Sequence, residues 1–116
     1  MPTCIATRSK STVMSAHVMT IFRNRLREEN AAAYATTAAR MTELAREMPG
    51  YVDSKTFSSP DGERVTIVTF EDRATHDAWR NHPDHQQAQR DGIASFYSEY
   101  SIQVGDVTYE HSFHLS

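Results

Sequence analysis

The chain of 116 residues has a single cysteine, Cys4, so no intrachain disulfide can form and no thiolate cluster can hold zinc or an iron–sulfur centre. The cytoplasm, a reducing compartment, is the simplest expected location. No apolar run approaches the length that spans a bilayer, which argues against a membrane partner. There is no basic surplus either: 12 Lys and Arg against 15 Asp and Glu give a net charge of −3. A nucleic-acid module needs a concentrated basic surface to release phosphate counterions, so that class is excluded. Apolar residues are themselves scarce, at 39% with a mean hydropathy of −0.59. Small polar domains often gain stability by self-association, and a homodimer is the expectation.

Residues 1–16 carry Arg8 and Lys10 among serines and threonines, with no acid. They read as an N-terminal tail, Met14 being an alternative start, and 17–116 as a single domain without repeats. A strand is expected over 17–26, with Phe22, Asn24 and Leu26 on one face and Arg23 and Arg25 on the other. Glu28, Glu29 and Asn30, with Asn30 as the capping amide, start an Ala-rich helix. Its stripe of Tyr34, Ala38, Met41, Leu44, Ala45 and Met48 reads as core, and Pro49-Gly50 ends it. Strands at 51–57 and 64–70 flank a turn at 58–62. Asp72 can cap a short helix over 73–80, and Pro83 opens another running to 93. The segment 97–113 is extended, Gly105 marking a bulge or bend.

The order β-α-β-β-α-β is the ferredoxin-like pattern of an α+β domain with an antiparallel sheet. Helices cover one face of such a sheet. The strands here are apolar on both faces, so two copies packed sheet to sheet would close a dimeric α/β barrel.

The densest chemistry lies between Trp79 and Tyr100. Trp79, His82-Pro83, His85, Ala88-Gln89, Gly92, Phe96-Tyr97 and Tyr100 follow Glu71-Asp72. Together with the run from Ile21 to Leu26 and Met48-Pro49-Gly50-Tyr51, this pattern resembles the antibiotic biosynthesis monooxygenase (ABM) family of the dimeric α/β-barrel superfamily. The similarity covers 18–110. It implies an oxidoreductase that oxidises a small aromatic, phenolic or polyketide-like substrate with dioxygen, forming a quinone without metal, flavin or haem. The deprotonated substrate itself passes an electron to oxygen, while the protein handles a proton and stabilises an anion in a dry pocket.

By this resemblance Asn24 and Trp79, which donate hydrogen bonds without carrying charge, hold the substrate oxygen. His85 is the candidate base, kept neutral by the positive end of its helix. Phe22, His82, Gln89, Tyr97 and Tyr100 are the expected substrate-binding residues. Each has a plainer reading: Trp79 as a core aromatic, His82 as a helix cap, His85 as a structural hydrogen bond. Tyr97 and Tyr100, three apart on a strand, are expected on opposite faces, so that at least one only packs. His82 and His85 make no metal site, because Pro83 breaks the shared helical face. Two other functions stay open, a non-catalytic ligand-binding dimer and a haem-degrading enzyme. The haem-degrading members share the Asn24-Arg25-Leu26 run, but Gln89 stands where they place the histidine ligand to iron.

Overall fold

The computed structural model describes residues 12–13 and 16–115. Most of the expected tail, with Met14, lies outside them. Strand β1, Thr12–Val13, forms a short ladder with β6, Glu110–His111. Between them run β2 (Val18–Leu26), α1 (Ala31–Glu47), β3 (Tyr51–Ser58), β4 (Arg64–Phe70), α2 (Arg73–Arg80), α3 (Pro83–Asp91) and β5 (Tyr97–Asp106). The main sheet is antiparallel with order β3-β4-β2-β5, as expected of the ferredoxin-like pattern.

Alternation sorts the sheet residues cleanly. Val18, Thr20, Phe22 and Asn24 face the helices together with Val68 and Phe70, their neighbours on β4. Val18, Val68 and Phe70 are buried there with Ala45, Trp79 and Phe96. Met19, Ile21, Val65 and Ile67 point the other way and are only half-buried.

Helix starts follow the residue chemistry. Asp72 Oδ1 accepts the Thr75 amide at 2.9 Å, and His82 Nδ1 accepts the Asp84 amide at 3.1 Å ahead of Pro83. Asn30 departs from expectation. It sits at the N-cap position with φ 67°, but its amide turns away and donates to the Ser95 carbonyl at 3.2 Å. It therefore ties α1 to the chain before β5 instead of capping.

Three further expectations are corrected. The last long helix stops at Asp91, and a π-helical turn, Gly92–Phe96, completes the connection. Gly105 pairs regularly with Met19 and makes no bulge. The register shift lies instead where Glu99 faces Arg25 and Tyr97 faces Leu26, leaving Ser98 as the extra residue on β5. Beyond Asp106 the extended ladder stops, and it resumes only at Glu110.

Candidate active site

A cavity of about 430 Å³ separates the helices from the covered sheet face. Of the α1 stripe expected as solid core, Ala38, Met41 and Ala45 border this space, joined by Thr37, and only Ala45 packs in the buried cluster with Val68 and Phe70. Thr20, Phe22, Thr66 and Val68 form the floor, while Trp79, His85, Ala88 and Gln89 close one side. Phe96 and Tyr97 close the end beneath Tyr34.

Five of the expected site residues thus line one space: Phe22, Trp79, His85, Gln89 and Tyr97. Trp79 fills both of its readings. Its ring stacks on Phe70 at 5.2 Å, and the residue is part of the cavity lining. Its Nε1 is buried without a hydrogen-bond partner. Leaving such a donor unsatisfied costs about 1–3 kcal/mol.

His85 lies against Trp79, ring centroids 4.4 Å apart. Its Nδ1 approaches the Arg80 carbonyl at 3.4 Å. A carbonyl can only accept, so Nδ1 carries the proton and Nε2 is the basic atom. Burial is the main cause that lowers the His85 pKa from 6.5 to about 4. The Arg80 carbonyl opposes the fall, while Arg80, His82 and His76 add to it. The imidazole is therefore neutral at physiological pH.

Tyr97 and Tyr100 share a face, contrary to expectation, because the Ser98 bulge restores the parity between them. Both rings contact Phe22, at 5.3 and 5.9 Å, and they stand 6.0 Å from each other. Only Tyr97 reaches the cavity. Burial holds its hydroxyl well above the usual tyrosine range, and it stays protonated. Gly92 makes the approach possible, since a Cβ there would overlap the Tyr97 ring. Tyr100 is 45% exposed, and His82 serves as a helix cap away from the lining.

Asn24 is 2% exposed, and its Oδ1, like Trp79 Nε1, is buried without a partner. The two residues do not meet. Trp79 lies over Phe70, which faces Val18, and Asn24 is six residues further along β2, about 20 Å of strand. Asn24 faces Arg64 across the sheet and is not among the lining residues.

The structure also shows a group that sequence reasoning missed. His76, 1% exposed, bonds the Thr20 hydroxyl through Nε2 at 2.7 Å and the Asp77 carboxylate through Nδ1 at 2.9 Å. The carboxylate accepts, which makes Nε2 the acceptor of the Thr20 proton. Thr20 lines the cavity and Asp77 is exposed, so a hydrogen-bonded chain runs from cavity to surface. The His76-Asp77 pair on a short helix was the available signal. Among the described residues no group of three or more His, Cys, Asp or Glu could hold a metal ion.

The fold and cavity define a ferredoxin-like α+β domain with a partly open, mainly apolar cleft between its two layers. The antibiotic biosynthesis monooxygenase family model matches residues 17–91, and the chain belongs to that family. An uncharacterised protein of Bacillus subtilis strain 168, YqjZ, is 30% identical over 82 residues, covering 71% of this chain and 72% of its own. Among solved structures, Rv0793 of Mycobacterium tuberculosis superposes with TM-score 0.67 at 20% identity, covering 77% of this chain and 92% of that one. SnoaB of Streptomyces nogalater, a cofactor-independent oxygenase, superposes with TM-score 0.68 at 15% identity over 78% and 92%. Likeness at these identities shows the shared fold.

Proposed function

We propose that this chain is a cofactor-independent monooxygenase acting on a small aromatic, phenolic or polyketide-like substrate with dioxygen. The observation that carries the reading is the pair at one end of the cavity, an unpartnered Trp79 Nε1 beside the neutral His85. The first is a donor without an acceptor, the second an imidazole whose Nε2 can take a proton, with an affinity that burial lowers. Membership of the monooxygenase family and the fold shared with SnoaB support it.

A phenol or anthrone with its oxygen at Trp79 loses a proton to His85 Nε2, and the Trp79 N–H stabilises the anion. The anion gives one electron to dioxygen, and the carbon radical and superoxide combine as a hydroperoxide. Its O–O bond then breaks with loss of water. For an anthrone CH₂, one oxygen atom enters as the new carbonyl, and the other leaves as water with the two hydrogens of that carbon. The enclosing aromatic side chains keep bulk water from the reacting anion. Thr20, through His76 and Asp77, offers protons a route to solvent. Phe22, Gln89 and Tyr97 lie along the length of an elongated substrate, and Asn24 acts from beneath the far end of the floor.

The working unit is a homodimer in the cytoplasm. Met19, Ile21, Val65 and Ile67 form an apolar strip on the sheet face opposite the helices, which a second copy would bury. Haem does not fit the residues present. Gln89, standing where the haem-degrading members place the iron-ligating histidine, is a poor iron ligand.

Purified protein treated with chelator should consume oxygen with an anthrone or hydroquinone, and Trp79→Phe combined with Asn24→Ala should suppress it. Unchanged turnover in that double variant removes the assignment.

A further inference from the structure

The charge of the cavity wall is one-sided. Acids outnumber bases in the chain, 15 to 12, yet no Asp or Glu lines the cavity. Arg46, Arg64 and Arg80 do. Lys55 also borders it, but its ammonium lies over the Phe57 ring, 5.5 Å from the centroid, and Lys55 and Phe57 face Ile67 and Val65 on the opposite side of the sheet. It contributes only backbone.

Arg23, Arg25 and Arg73 each bond a carboxylate at 2.8–3.1 Å. Among the described residues Arg46, Arg64 and Arg80 form no salt bridge. Arg64 is half-buried and is held in place by two contacts: its guanidinium lies over the Tyr34 ring at 5.1 Å, and it donates to the Tyr34 hydroxyl at 2.7 Å. A guanidinium has five N–H donors in a planar fork, and this hydroxyl takes one. The cation is fixed, partly desolvated and without an anion, a state that favours a bound carboxylate.

Position adds a direction. Arg64 faces Asn24 at the far end of the floor from Phe70, the residue under Trp79. We propose that the cavity selects an anionic aromatic, a phenol of two or three fused rings whose carboxylate binds Arg64 while its hydroxyl sits at Trp79 and His85. Arg46 and Arg80 add charge at the helix edges, attracting the anion without gripping it. The proposal rests on the cavity being the substrate site.

The test compares 6-hydroxy-2-naphthoate with its neutral isostere 6-hydroxy-2-naphthamide by titration calorimetry on the full chain at pH 7.5. The acid should bind at least tenfold tighter to the unaltered protein. Arg64→Met should cut that preference to threefold or less with amide affinity unchanged, and Arg64→Lys should keep most of it. Equal binding of acid and amide to the unaltered protein overturns the charge selection and leaves the monooxygenase reading intact. So does a preference that survives Arg64→Met. If neither probe binds, this proposal and the reading of the cavity as the substrate site both fall. A circular dichroism melt of Arg64→Met confirms that lost preference is not lost fold.

Discussion

Acidification from pH 7 to 4 should weaken the fold through His85 in particular. The folded imidazole titrates at about 4, because burial disfavours its charged form, whereas in the unfolded chain the value returns to about 6.5. Above pH 6.5 the ring is neutral in both states and contributes nothing to the pH dependence. Between 6.5 and 4 the unfolded chain takes up a proton that the folded chain does not, so stability falls as pH falls. Below 4 both states are protonated and the loss levels off. A drop from 6.5 to about 4 corresponds to about 3 kcal/mol, a large part of the roughly 5–15 kcal/mol that holds a domain together. Urea unfolding followed by the fluorescence of Trp79, the sole tryptophan, measures this directly. The free energy for the unaltered chain should fall steeply across this window, while His85→Gln, with no titrating ring, should have a distinctly shallower slope. Identical slopes for the two proteins would refute the buried, neutral His85 on which the base role depends.

Other perturbations reach different parts of the site. Thr20→Val leaves His76 Nε2 buried without its donor and should cost about 1–3 kcal/mol of stability, read from the same urea curves. Gly92→Ala drives a methyl into the Tyr97 ring; catalytic turnover should fall and the Tyr97 contacts to Phe22 should shift in aromatic NMR spectra. Phe70→Ala removes the ring under Trp79 and should lower stability by about 3–5 kcal/mol, lowering the melting temperature. Ile67→Lys charges the open sheet face, so sedimentation should show a dimer for the unaltered chain and a monomer for the variant.

Much of the architecture is visible in local residue patterns. Val65 to Phe70, Pro49-Gly50 and Asp72 each specify their element, and the structure follows them. The misreadings arise where a tertiary contact outweighs a local preference. Asn30 stands at the N-cap of α1, but its side chain is oriented by the bond it donates to the Ser95 carbonyl. The facing of Tyr97 and Tyr100 depends on one extra residue, Ser98, and a bulge is set by cross-strand register and not by composition. The cavity was hidden for a similar reason. The α1 stripe has the spacing of core, but only the distance to the sheet shows that its small side chains leave space beneath them. His76 went unnoticed because its partner, Thr20, lies 56 residues away. The densest stretch, from Trp79 to Tyr100, supplies Trp79, His85, Gln89 and Tyr97 to the cavity lining, while His82 closes a helix end.

In the proposed reaction Trp79 and His85 together bind and deprotonate an aromatic substrate for direct reaction with dioxygen. Oxygen uptake by chelator-treated protein with anthrone tests it most directly, comparing the unaltered chain with Trp79→Phe and His85→Gln. The unaltered chain should take up one dioxygen per anthrone, forming the quinone, with a loss of at least a hundredfold in His85→Gln. Uptake in both variants at the unaltered rate, or none above the protein-free rate in the unaltered chain, would contradict it.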